Sequence, residues 1–507
     1  MTLLFKPGQL IFSTMNSNFK QLYLGLIAVA LLTVSIGFSG CVDDSFSTNP
    51  NDKLAFSKDT LAFDTVFTTI GSATSKVMIY NRNNSALKIS HIALAGGRNS
   101  AFKINVDGSL NANGQFDNIE IRAKDSMFVF VQITVDPQNS NSPVFIKDSI
   151  TFQTNGVIQH VKLQAYGQNI VPLKNKLFKD DTTLTADLPY VVTGNLVIDT
   201  AKTLTLNPGC RIYFHNNANL IVYGTLKANG TAANPILLRG DRLDEIKFAT
   251  SFPYNNVAGQ WGGVYLLWNQ AKHVLHHVNM NSGYVGLYFS NNDRNTIPNL
   301  EISDCRISNF LLYGLVVQNG NVQVSNSEIS NTSSYTVYLN GGKHTFLQST
   351  IVNYFDNSKV EPTDRYQEKK PAVMIMNLNR VAPMETVFKN CIISGDLDNE
   401  FTLASRSLDQ YPGIFDHCYI RKTDSLKLAQ FTNIRWYNSK DTLIFKSNHY
   451  DFEKKINFNF MPDSISPVRG KADLTVASQF PLDLNGNNRL VGNKPDLGAY
   501  QWQPIKK

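Results

Sequence analysis

Carboxylates and one indole are the residues with the most chemistry to offer. Asp241, Asp244 and Glu245 fall within one short stretch, and Trp261 follows in Gly259-Gln-Trp-Gly-Gly-Val264. A second cluster, Glu361, Asp364 and Arg365, lies in Asp356–Lys370, where eight of fifteen residues are charged. Two carboxyl groups flanking a bound sugar are what acid–base cleavage of a glycosidic bond requires, and they can come from distant parts of a chain. A tryptophan face can stack on a sugar ring. These seven residues are therefore candidates to line a ligand groove. The bland alternatives stand beside them: the glycines after Trp261 also suit close packing at a strand start, and a charged insertion also suits a plain solvated loop. His273, His276 and His277 cluster too, but strand alternation sends His276 and His277 to opposite faces, which argues against joint metal ligation. No metal ligand set is assigned. Asp483-Leu-Asn-Gly-Asn-Asn488 has the look of a calcium loop but lacks the distal glutamate, and it reads as a turn. No cofactor is expected, and calcium has no support beyond that loop.

Such groups act together only if the fold brings them to one surface. A motif of apolar, any, polar, small, any, Ile/Met recurs from Leu275…Val278…Met280 to Phe415…Cys418…Ile420. Its middle positions, Val278, Cys305, Ser327, Ser349, Cys391 and Cys418, step by 27, 22, 22, 42 and 27 residues. A step near 22 in alternating segments suits one turn of a parallel β-solenoid. The column Leu275, Ile302, Val324, Phe346, Phe388, Phe415 should then point inward, and the middle column should form a small-residue row near a bend. Roughly 300 residues at this step give on the order of twelve coils. The longest step holds the Asp356–Lys370 insertion, which must project as a loop. Stacked side chains in one column run parallel, so Cys210, Cys305, Cys391 and Cys418 are expected to be free buried thiols. They show no C-x-x-C or Cys/His metal spacing.

Upstream, from about Leu54 to Asn169, short alternating runs such as Thr74–Tyr80, Ala86–Leu94 and Ser126–Val135 are divided by turn signals, as in an antiparallel β-sandwich. The order of these runs, ending in Val161–Gly167, resembles the Ig-like domains of the ASPM/SPD-2/Hydin type. Thr203–Gly209 and Arg211–Phe214 resemble the opening coils of a right-handed parallel β-helix. Phe480–Gly486, Arg489 and Pro495–Tyr500 resemble the closing segment of exported bacterial β-helix proteins. Together the chain resembles Bacteroidetes right-handed parallel β-helix repeat lipoproteins. The fold expected is all-β: an antiparallel sandwich followed by a pectate-lyase-like right-handed parallel β-helix.

The N-terminus carries a targeting pattern. Lys20 precedes an apolar run from Leu22 to Phe38 that ends in Phe38-Ser-Gly-Cys41, similar to a bacterial lipobox. The organisation expected is a signal peptide over 1–40, a lipidated tether over 41–53, the sandwich over 54–170 and the β-helix over 171–507. Cys41 would carry the lipid, and acidic residues after it resemble a surface-export signal. The implied location is the outer membrane, exposed at the cell surface, with the periplasmic side as the alternative. Either Met1 or Met15 can serve as the start.

At 507 residues and a formal charge of +7, the chain is only mildly basic, with no Arg/Lys stripe, so nucleic acid is not an expected partner. Expected partners are the membrane, through the anchor, and polysaccharide or other envelope proteins. β-Helix polygalacturonases carry Asn-Thr-Asp, Asp-Asp, Gly-His-Gly and Arg-Ile-Lys segments; here only Asp-Asp occurs, as Asp43-Asp44 in the tether and Asp180-Asp181 before the first coil, and neither is placed for a groove. The role favoured is surface interaction or glycan binding without catalysis. The alternative is a polysaccharide lyase or glycoside hydrolase acting in a groove on the β-helix face.

Overall fold

The computed structural model describes residues 45–504 apart from 248–250, 268–271, 291–298, 356–368, 377–383, 405–411, 424–425, 427, 442–443 and 451–457. Cys41, Glu361, Asp364 and Arg365 lie outside the described residues. No helix among the described residues is long and apolar enough to cross a membrane.

The N-terminal part is a sandwich of two five-stranded sheets. One sheet contains Ser75–Tyr80, Ser126–Ile133 and Phe102–Val106; the other contains Thr60–Phe67, Val157–Gln168, Val144–Thr154, Leu87–Leu94 and Gln115–Ile121. Alternation decides which side chains are inside: Val77, Ile79, Val129, Val131, Ile89, Phe152, Val161 and Leu163 are all fully buried. Thr60–Phe67 and Gln115–Ile121 are also strands of the second sheet.

From Val171 the chain winds into a right-handed parallel β-helix with three faces. A ten-stranded parallel sheet forms the first face, and two interleaved ladders of an 18-stranded sheet form the second and third. One coil runs Lys272–His276, Val278–Asn281, Val285–Ser290, and the next begins at Asn299. Ten strands on the first face fall short of the roughly twelve coils suggested by spacing alone, because several coils are lengthened by insertions.

The inward column is as the spacing predicts. Leu275, Ile302, Val324, Phe346, Phe388 and Phe415 are in register and continue to Phe431. All six are fully buried. The rings of Phe346 and Phe388 stack at 4.5 Å and those of Phe388 and Phe415 at 5.5 Å. On the second face Met280, Ile307, Ile329, Ile351, Ile393 and Ile420 form the matching inner column.

The bend between first and second faces has its own chemistry. One residue per coil, His277, Asp304, Asn326, Gln348, Asn390 or His417, adopts a left-handed conformation with φ between 43° and 56°. Asn and Asp tolerate that region because their short polar side chains bond locally. The next residue in each coil is the small-residue column. There the backbone N–H of Val278 donates to Cys305 Sγ, that of Cys305 to Ser327 Oγ, that of Ser327 to Ser349 Oγ, and that of Cys391 to Cys418 Sγ. Thiol and hydroxyl thus serve the same purpose, satisfying amides that the turn removes from the ladder. The four cysteines are free and buried.

A C-terminal strap, residues 463–504, runs back over the outside of the second face. Its apolar residues Val468, Leu484, Leu497 and Ala499 pack with the outward-facing Val352, Ile392 and Tyr419. Its hydrogen bonds hold the left-handed column: Gln348 Nε2 donates to Asp496 O and Gly498 O, and Asn390 Nδ2 donates to Asp473 O. Arg489, fully buried, donates to Asn326 Oδ1 at 2.6 Å and to the carbonyls of Phe480, Gly498 and Ala499.

Candidate functional site

Two insertions leave the solenoid at the same corner, between the second and third faces. One begins after Ile236–Gly240 and ends before Gly263–Leu267, and the other begins after Thr350–Asn353 and ends before Val373–Met376. Four rung steps separate those two strands, or about 19 Å at strand spacing. The outward side chains of the three intervening rungs form the floor of a cavity of about 400 Å³.

That floor is polar. Asn281, Ser308 and Ser330 are aligned in one column, and Arg306 and Glu328 are paired in the next. Asn309 and Asn331 add amides at the corner. Asn255, Asn256 and Ala258 of the first insertion close one side, and Phe355 lines another part. The aromatic wall is Tyr450, Phe458 and Phe460 with Met461, and Asn485 and Tyr500 come from the strap.

A buried hydrogen-bonded cluster organises the floor. Tyr500 OH donates to Glu328 Oε2, and Ser330 Oγ donates to Glu328 Oε1 at 2.6 Å. Arg306 Nη2 donates to Leu484 O and Asn485 Oδ1. Burial first, and then the Glu328 charge, hold the Tyr500 phenol well above its usual range. Burial pushes the Arg306 guanidinium down, but the neighbouring Tyr500, Glu328 and Asp483 outweigh it and the net shift is upward. Asn255 Oδ1 and Asn281 Oδ1 are buried acceptors on the cavity wall with no hydrogen-bond partner among the described residues. Unpaired buried acceptors are costly, and a ligand donor would relieve them.

Asp241, Asp244 and Glu245 lie in the first insertion but not on the cavity wall. Asp241 Oδ2 is 2.6 Å from His215 Nδ1. Asp244 accepts a two-pronged contact from Arg242, whose guanidinium sits 3.9 Å over the Tyr254 ring. Glu245 starts a hairpin with Ser251–Pro253. Trp261 corrects the groove expectation outright. It is fully buried, stacked on Phe214 at 4.3 Å, with Nε1 donating to Asn281 O, so its face is spent on the core. The Asp483 carboxylate accepts N–H groups of Asn485, Asn487 and Gln501 and the Asn487 amide, which makes its loop a hydrogen-bonded turn.

The histidine argument from alternation also fails. His276 ends a strand, but His277 is in the left-handed bend, so the two rings lie 4.4 Å apart instead of on opposite faces. Asp304, the bend residue of the next coil, joins them. His277 is held below its usual pKa, first by burial, with His276 and Arg306 adding to it and Asp304 opposing.

The residues that matter most in the cavity, Arg306, Glu328 and Tyr500, were not singled out by the sequence. Arg306 and Glu328 each directly follow the small residue of the repeat, a position that alternation turns outward, so part of the signal was there. On the third face a half-buried tyrosine group looks outward: Tyr265 and Tyr288 are 5.9 Å apart, and Tyr335 is 6.4 Å from Tyr313 and 5.7 Å from Tyr338.

No family model matches the chain. The chain is 28% identical over 127 residues to Protein bark beetle of Drosophila melanogaster, a match that covers 23% of this chain and 4% of that protein. The chain therefore spans a small fraction of the curated relative it matches. A PapD-like domain of human CEP192 is similar at 12% identity and TM-score 0.16, over 26% of this chain and 94% of that one. The catalytic unit of a GH87 alpha-1,3-glucanase from Streptomyces thermodiastaticus is similar at 9% identity and TM-score 0.13, over 72% and 88% of the two chains. Similarity at these scores carries no functional argument.

Proposed function

We propose that this is a lipid-anchored cell-envelope protein that binds glycan in the cavity on the second face of its β-helix. The observation that carries the reading is the lining itself. Serine and asparagine side chains on a rigid floor offer paired donors and acceptors to hydroxyl groups, while the half-buried Phe458 offers an apolar ring edge beside the buried Tyr450 and Phe460. Among the described lining residues Glu328 is the sole carboxylate, and it already accepts from Tyr500 and Ser330. Hydrolysis with a general acid and a second carboxylate needs a partner that the described lining residues do not provide. Binding without turnover is the better match.

A glycan array followed by calorimetry on the best ligand tests this. Ser308→Tyr, which fills the cavity from the floor, should weaken binding at least about tenfold, or ~1.4 kcal/mol, without lowering Tm. A blank array, or a variant that binds like the parent, removes the reading. Release of reducing ends or unsaturated products would instead favour the hydrolase or lyase alternative. For the anchor, Cys41→Ser should move the protein from the membrane fraction to the soluble one; retention in the membrane would exclude lipidation at that residue as the attachment.

A further inference from the structure

We infer that His276, His277 and Asp304 form a binding site for a divalent transition-metal ion of the zinc class, on the bend between the first and second faces. One nitrogen from each imidazole and one Asp304 oxygen all lie within 4.8 Å of one another. The backbone is what assembles them. The left-handed turn at His277, φ 46°, swings its ring to the same outer corner as His276, and Asp304 repeats that turn, φ 54°, one coil along. The rings meet edge to face at 61°.

Orientation of the carboxylate is set from behind. Asn326, the bend residue of the following coil, donates its Nδ2 to Asp304 Oδ1 at 2.7 Å. That leaves Oδ2 toward His276, 3.5 Å from Nδ1. A hydrogen bond on the non-ligating oxygen is the second-layer support that metal-bound carboxylates have. Ser303 Oγ lies 2.6 Å from His276 Nδ1, a contact that an ion on that nitrogen would replace and an ion on Nε2 would leave in place. All three candidate ligands are partly exposed, so an ion can reach them and water can fill the remaining positions. Metal bonds near 2.0–2.2 Å require the three groups to draw together slightly, which terminal side-chain rotations supply. Two imidazoles and one carboxylate suit zinc and its neighbours and do not suit calcium or magnesium, which take oxygen donors.

Farther along the same column the bend residues are committed elsewhere. Gln348 and Asn390 bind the strap. His417 has its neighbour Asp416 at 3.0 Å, a carboxylate already bonded to Thr432 and Asn433. Arg306, two residues after Asp304, is the nearby positive charge, and its guanidinium is engaged by Leu484 and Asn485.

The test uses the untagged full chain, stripped with chelator and titrated with Zn²⁺ alone by calorimetry and with Co²⁺ alone by visible absorption. The expected result is one ion per chain and cobalt bands that report nitrogen and oxygen ligation. His277→Asn and Asp304→Asn keep a residue that tolerates the left-handed bend, and each should weaken Zn²⁺ binding about a hundredfold or more. His215→Ala, which removes an unrelated His–Asp contact, should bind like the parent. No saturable Zn²⁺ uptake by the parent, or uptake unchanged in both Asn variants, overturns the site.

Discussion

Cys418 shows how one side chain can hold two roles. Its sulfur accepts the Cys391 amide at the bend, and the side chain is fully buried. Burial raises the Cys418 thiol well above its usual pKa and pushes Cys210 and Cys305 up to about 12. Such thiols are protonated and inert at neutral pH. Cys418→Ser supplies a hydroxyl to the same amide, as Ser327 and Ser349 do in other coils, and should change stability by less than about 1 kcal/mol. Cys418→Val is similar in size but strands the amide and should cost about 1–3 kcal/mol. Calorimetric unfolding separates the two; equal losses would show that the sulfur only fills space. The sequence made this row legible as a spacing of small residues, because identical columns repeat. It left the His276–His277 geometry illegible, since strand alternation assumes extended backbone and His277 is not extended. Tyr500 in the cavity was out of reach for a different reason: its partner Glu328 is 172 positions away, and no local pattern encodes such a meeting.

Among the elements, the inner ladder and the strap are held by different forces. The ladder depends on aligned apolar columns, and these were readable because their period is short and their residues are large and apolar. The strap depends on polar contacts that only the folded solenoid presents, above all the four acceptors around Arg489. Burial lowers its pKa to about 10, with Asp483 and Asp496 opposing. Arg489→Met preserves the bulk and removes every donor, leaving buried carbonyls and Asn326 Oδ1 unpaired. A loss of about 3–5 kcal/mol is expected, confined to the strap. Limited proteolysis should then cut within 463–504 while the coils resist. Simultaneous loss of both would show that the strap is integral to the stack.

For the molecule as a whole, three buried titrating groups shape stability against pH. Burial pulls the His273 and His344 imidazoles down to about 4, from 6.5. The folded state therefore disfavours their protons, and their contribution is complete above about pH 6.5 and lost as pH falls toward 4. Glu400 runs the other way: burial pushes it up to about 7, from 4.5, against amide bonds from Leu397 and Ala372. Its contribution is complete below about pH 4.5 and lost as pH rises through 7. Each group is worth about 3 kcal/mol, so the two histidines outweigh the one glutamate and Tm should climb between about pH 4.5 and 6.5. Glu400→Gln should steepen that climb and His344→Asn should flatten it, as measured by calorimetry across pH; parallel curves for all three proteins would refute the assignment.

Rung neighbours in the repeat lie 22 to 42 residues apart, as in Cys305 to Ser327 at 22 and Val278 to Cys305 at 27, while Arg306 meets Leu484 across 178. Short loops close at lower entropic cost than long ones, so the coils are expected to pile up early and locally and the strap to dock late. The cavity owes Asn485 and Tyr500 to that final docking. A chain interrupted before it would carry a finished rod with its pocket still unroofed.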